Sequence, residues 1–192
     1  MNEIEQILKF SVEVEQLKDI HRKTMPVGLD RYENSAEHSW HVCLLALLLK
    51  DHANDQINID RVIRMLLIHD LGEIDAGDKI IYASETKEQK SKESKGIKRL
   101  LSFLPKEQAD EYFELWHEFE AGDSADSKYA KSIDRIPPIL QNLHGDGHSW
   151  KKYSIRKEKV FEVNSRIDQG SDGVWNVIKA KLNKAVEDGL LQ

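Results

Sequence analysis

The densest chemistry in the chain is the run His69-Asp70-Leu71-Gly72-Glu73-Ile74-Asp75-Ala76-Gly77-Asp78. An imidazole and a carboxylate stand side by side at the end of an apolar stretch. Adjacent His and Asp side chains can both reach one cation there, and imidazole nitrogen with carboxylate oxygen suits borderline and hard divalent metals. Two ligands do not hold a metal alone, so partners must come from elsewhere. His38 or His41, on the apolar segment upstream, and a later carboxylate are the candidates. Glu73 lies four residues after His69 and shares its face if the helix continues. Gly72 and Gly77 keep the backbone lean for the approach of a ligand. Asp78 follows Gly77, where a turn would aim it back at the same site; Asp75 reads as a surface acid. So many acidic and imidazole groups beside a buried helix carry a large desolvation cost unless a cation compensates. One ion with open positions would take up water and a phosphate oxygen, which is hydrolytic chemistry.

The elements that must position these groups read as helix after helix. Ile7, Phe10, Val14 and Leu17 form one stripe at helical spacing, ended by Met25-Pro26-Val27-Gly28. Asn34 or Ser35 can cap a helix carrying His38. That helix is apolar on nearly every side from Trp40 to Leu49, which predicts a central, buried element. Asp60 is placed to cap the helix leading into His69. The charged stretch Ala83 to Lys98 reads as a solvated surface segment, and Pro105 opens a helix with Tyr112, Phe113, Trp116 and Phe119 on one face. Ala125 to Leu143 is helical, with a kink or restart at Pro137-Pro138. Ile133, Ile136 and Ile139 surround Asp134, an acid that needs a partner in such company. His144, His148 and Trp150 fall in a Gly-rich loop read as solvated. Two more helical patterns close the chain, within residues 155–190. No alternation long enough for a strand is present, so the expectation is an all-α fold, one helical bundle over residues 1–192.

Composition bounds the partners. A formal net charge of -6 argues against binding a nucleic-acid polymer, which needs a basic footprint. It leaves room for a small phosphate substrate met by a few local cations. The longest near-apolar run, Val42 to Leu49, is too short to span a bilayer, and the N-terminus is unlike a signal peptide. A single cysteine, Cys43, excludes an intrachain disulfide and reads as a small core residue. A cytoplasmic setting is expected.

Glu37-His38, His69-Asp70 and Ile133-Asp134 resemble the ordered H…HD…D signature of the HD superfamily. The spacing of His69-Asp70-x-x-Glu73-x-x-x-Gly77-Asp78 resembles a narrower branch, the HD-domain 5'-deoxynucleotidases and their eukaryotic relatives. The likeness extends to Leu17-Lys18 with Arg22, to Ser35-Ala36-Glu37-His38, to Glu114-Leu115-Trp116 and to Ala130-Lys131-Ser132-Ile133-Asp134, roughly residues 15–142. It implies an HD-domain helical bundle in which His38, His69, Asp70 and Asp134 bind one divalent metal (Mn, Co, Mg, Fe or Zn). It implies Glu73 and Asp78 as the catalytic acidic pair and Arg22 as a substrate-phosphate contact. It also implies a small nucleotide substrate and a homodimer. Lys23 departs from the branch, where a tryptophan that helps reject a 2'-hydroxyl is expected; a second phosphate contact is its alternative role. Hydrolysis of another nucleotide (cyclic, alarmone or triphosphate) and a non-catalytic metal-containing binding module are the rival readings.

Overall fold

The computed structural model describes residues 2–83 and 86–192. Ser84 and Glu85, inside the charged stretch, lie outside the described residues. Among the described residues the chain is helical throughout, with one isolated antiparallel bridge between His21 and Asn34. The helices are α1 (Glu3–Glu13), α2 (Ser35–Leu49), α3 (Ile59–Ile68), α4 (Glu73–Ala76), α5 (Lys87–Leu101), α6 (Lys106–Ala121), α7 (Ala125–Asp134), α8 (Ile136–His144), α9 (His148–Lys152), α10 (Lys157–Asn164) and α11 (Asp172–Glu187). Short 3-10 turns follow α1, α2 and α10.

The centre is built by α2 against α3 and α7, with α6 packed across α3 and α7. Val42 and Ala46 on α2, Val62, Met65 and Leu66 on α3, and Ala130 and Ile133 on α7 are fully enclosed. Burying a Leu- or Met-sized side chain contributes about 1.5–3 kcal/mol. The core also takes in Val160, Trp175, Leu182 and Leu191 from the C-terminal segment. The Tyr129 hydroxyl donates to the Ala46 carbonyl at 2.9 Å, so α7 and α2 are joined by a polar bond as well as by packing.

The structure corrects several expectations. Helix α2 is not buried on every side. Trp40, Leu44, Leu47 and Leu48 are exposed (65, 40, 48 and 68 %), and their spacing puts them along one face. Hydropathy alone does not say which apolar face a neighbour covers. The cap of α3 is Asn58, whose side chain accepts from Arg61 N, with Asp60 in the first turn. Pro137 and Pro138 restart the helix: α7 stops at Asp134, and both prolines sit in the first turn of α8, where missing donors cost nothing. Trp150 is not in a solvated loop. It is buried on α9, and its Nε1 donates to the Tyr82 hydroxyl at 3.2 Å. The charged stretch is helical as α5, but Gly96, Ile97, Leu100 and Leu101 at its far end join the core. Cys43 is buried, and its thiol is pushed up to about 11 by that burial, as a core residue's should be.

Candidate metal centre

Three separated segments converge at the open side of the α2–α3–α7 layer. Helix α2 starts with a capping box, in which Asn34 accepts from Glu37 N and Glu37 accepts from Asn34 N. This fixes the first turn, and His38 one turn in is fully buried. A short extended pairing ties the preceding loop to this start: Arg22 N donates to Glu33 O at 2.8 Å, and Ser35 N to Ile20 O at 2.9 Å. Arg22 is therefore held beside the helix that carries His38. Helix α3 ends at Ile68, with His69 as its C-cap. The helix does not continue to Glu73, so the two do not share its face; the chain turns over residues 69–72 and restarts as α4. Gly72 is lean for a different reason from the one expected. A Cβ there would meet the Glu93 carbonyl oxygen of α5 at 2.8 Å. Gly77 has φ +76°, which a residue with a Cβ rarely adopts, and its turn returns Asp78 to the site.

His38, His69 and Asp134 each place a potential ligand atom within 4.8 Å of the others. Nε2 of His38 lies 2.8 Å from Asp134 Oδ1. The His69 Nδ1 hydrogen bond to the Leu66 carbonyl, at 2.7 Å, selects the tautomer that leaves Nε2 with a free lone pair. That Nε2 is buried and makes no hydrogen bond, and it faces Asp70 Oδ1 at 3.2 Å and Asp134 Oδ1 at 3.4 Å. An unsatisfied imidazole nitrogen aimed between carboxylates fits a divalent cation, and the donor set of imidazole and carboxylate is one such ions accept. Asp70 lies outside the three-residue cluster; its Oδ2 accepts from Arg22 Nη1 at 2.7 Å. His41 is away from the cluster, stacked on Trp40.

The charges respond to this crowding. Burial disfavours the imidazolium of His69, but Asp70 and Asp134 outweigh it and hold the proton up to about 9. Burial likewise opposes ionisation of Asp134, yet the hydrogen bond from His38 and the nearby His69 imidazole pull it well below the usual carboxylate range. Glu73 goes the other way. Burial and then the Asp70 charge raise it well above the usual range, with Arg22 opposing. Asp78 is also raised, chiefly by burial, against the pull of Arg22 and Lys23. Arg22 keeps its charge because Asp70, Glu73, Asp134 and Asp78 together overcome its burial.

Glu73, Asp78 and Arg22 all line a cleft of about 430 Å³ together with His69, Asp70 and Asp134. Ser35 Oγ donates to Glu73 Oε2 at 2.9 Å. Asp78 lies 3.9 Å from Arg22 Nη1 and 3.4 Å from Lys23 Nζ. Lys23 is thus turned to Asp78 and is not among the cleft's lining residues. Asp75 is on the surface, paired with Arg99. The sequence reading missed Glu33. It is buried, accepts from Gln141 Nε2 at 2.6 Å, and sets Oε2 3.5 Å from Nδ1 of His38. A carboxylate behind a ligating histidine orients the ring and raises its basicity. Its only signal was its place one residue before the cap of α2. Trp116, expected as core, is buried and also walls the cleft; its Nε1 donates to the His69 carbonyl at 3.3 Å.

An all-helical bundle with a histidine–aspartate cation site opening into a polar cleft defines the class of metal-dependent hydrolases. Residues 14–175 match the family model described as HD domain, and the chain belongs to that family. It is 33% identical over 137 residues to human 5'-deoxynucleotidase HDDC2, covering 70% of this chain and 66% of that protein, just under two thirds. To the Saccharomyces cerevisiae 5'-deoxynucleotidase YBR242W it is 31% identical over 142 residues, covering 70% and 58%. A crystal structure from Magnetospirillum magnetotacticum, described as a predicted metal-dependent phosphohydrolase, superposes with a TM-score of 0.93 at 40% identity over 98% of both chains. An HD-domain phosphohydrolase from Listeria innocua, 18% identical with a TM-score of 0.60 over 94% of this chain and 86% of its own, shares the fold. The fold is thus that of the HD-domain metal-dependent phosphohydrolases.

Proposed function

We propose that this chain is a metal-dependent phosphomonoesterase releasing the 5'-phosphate of (deoxy)ribonucleoside monophosphates in the cytoplasm. The observation that carries the reading is the His38–His69–Asp134 cluster at the wall of a cleft that also holds two half-buried acids, Glu73 and Asp78. The relatives named 5'-deoxynucleotidase support the choice of substrate. The cleft volume is ordinary for a small-molecule site.

One divalent ion, from Mn, Co, Mg, Fe or Zn, would be held by His38, His69, Asp70 and Asp134, and when bound it polarises the phosphate and acidifies a water. Glu33 orients His38, the Leu66 carbonyl orients His69, and Arg22 holds Asp70. Glu73, anchored by the Ser35 hydroxyl, accepts the proton of the attacking water. Asp78, whose burial raises its proton affinity, returns a proton to the leaving 5'-oxygen. Arg22 faces the phosphate with its planar fork of donors. Lys23 acts on Asp78 and leaves the ribose 2'-position unguarded, so selection for deoxyribose is expected to be weak. Trp116 and Phe119 wall the cleft and limit water around the reacting groups.

The test is a metal-by-substrate matrix on metal-stripped protein, reading phosphate release from deoxyribo- and ribonucleoside 5'-monophosphates, cyclic nucleotides and triphosphates. Release from 5'-monophosphates with at least one metal is expected. If no 5'-monophosphate is turned over with any metal, the reading is wrong.

A further inference from the structure

The cleft is electrically divided. Its inner part holds Asp70, Glu73, Asp78 and Asp134. Another part of its lining carries Arg135, Lys159 and Arg166, with Glu162 paired to the lysine. Arg135 follows Asp134 in sequence, but its side chain is turned toward α10. Nη1 donates to the Val163 carbonyl at 3.0 Å, and that is its one side-chain hydrogen bond among the described residues.

The contrast with Arg22 is direct. Arg22 is surrounded by Asp70, Glu33 and Asp78. Neither Arg135 nor Arg166 forms an ion pair among the described residues, whereas the neighbouring Lys159 is paired with Glu162 at 3.1 Å. Arg135 is half-buried, and Arg166 is exposed at the start of the turn after α10. Two guanidinium groups that line one cleft without a carboxylate partner can share an anion, and their planar forks match phosphate oxygens.

We propose that Arg135 and Arg166 form a second anion subsite in the cleft, and that the preferred ligand is a nucleotide carrying a second phosphate besides the one placed at the metal centre. Which phosphate is cleaved rests on the phosphomonoesterase reading; binding at the subsite does not. The second phosphate can stand on the ribose, as in adenosine 3',5'-bisphosphate, or extend from the first, as in adenosine 5'-diphosphate. Both present the same dianionic group.

The experiment is equilibrium binding of these two nucleotides and of adenosine 5'-monophosphate to full-length, Mn-loaded protein. Glu73→Gln is present throughout to prevent turnover. At least one two-phosphate nucleotide is expected to bind about tenfold or more tightly than the monophosphate, the value of one good charge-assisted contact. The tighter of the two identifies where the second phosphate sits. Arg166→Ala, at an exposed position, should abolish that advantage and leave monophosphate binding within about twofold. Arg135→Lys should weaken the two-phosphate ligand severalfold through loss of the fork, with an unchanged melting temperature as the control for folding. Equal affinity for all three nucleotides overturns the proposal. So does loss of monophosphate binding in parallel with the rest, which would place the arginines on the first phosphate. If the binding advantage holds but the parent protein releases phosphate from none of the three, the subsite stands and the phosphomonoesterase reading fails.

Discussion

Glu73 and His69 are four residues apart, and both hold their protons more tightly than they ordinarily would. Burial and then the Asp70 charge favour the neutral form of Glu73, while Asp70 and Asp134 favour the cationic form of His69 against its own burial. Both are the response of a crowded acidic site without a cation, and both reverse when one arrives. A ligating imidazole must be neutral, so metal binding releases the His69 proton. Metal affinity is expected to climb from pH 6.5 up to about 9 and then level, as measured by competition with a chelator. The same shift runs the other way for the metal-free fold. A histidine with a raised folded pKa contributes stability that is complete below 6.5 and is lost as pH passes about 9, so metal-free protein should melt lower at pH 9 than at pH 6.5. Glu73→Gln keeps the Ser35 hydrogen bond but removes the proton acceptor. It should lower kcat by about 100-fold or more with metal content unchanged, checked by turnover and elemental analysis. The His69–Asp70 pair was legible in sequence because its ligands are adjacent. Glu33 was not, because an isolated acid in a loop carries no pattern.

Among the elements, the tightest fit is where α5 crosses the turn between α3 and α4. Gly72 and Gly96 face each other across it. A Cβ on Gly72 would lie 2.8 Å from the Glu93 carbonyl oxygen, and one on Gly96 2.8 Å from the Gly72 carbonyl oxygen. These are backbone atoms and do not give way cheaply. Gly72→Ala is expected to destabilise the fold by about 1–3 kcal/mol. It should also displace Asp70 and Glu73, lowering metal affinity together with the midpoint of urea unfolding. The periodicity of α3, α6 and α7 and the restart at Pro137 were readable from spacing and from proline's missing donor. Whether the helix ran on from His69 to Glu73 was not, since Leu71 and Ile74 continue the apolar period that a helix would show. The contact of Gly72 with α5 was equally hidden: a lean residue looks the same in sequence whether a ligand or another backbone fills the space.

For the molecule as a whole, the all-helical class followed from the absence of alternation, but the outer surface did not follow from hydropathy. The exposed row Trp40, Leu44, Leu47 and Leu48 on α2 is an apolar face of the kind that marks an interface. We propose that a second copy of the chain covers it. Leu48→Glu should convert a dimer to a monomer in light scattering after size-exclusion chromatography, and a parent protein that is already monomeric would rule the pairing out. The metal cluster has a further consequence in time. The His38–Asp134 contact joins residues 96 apart in sequence, so the cage is complete only when most of the chain has found its place. Closing so long a loop is slow compared with forming local helical turns. The ion is therefore expected to arrive late, taken up by a nearly finished structure. In stopped-flow experiments added metal should leave the refolding rate unchanged and slow unfolding, since it strengthens contacts absent from the transition state. The cation then acts as a latch on the native state, not as its template.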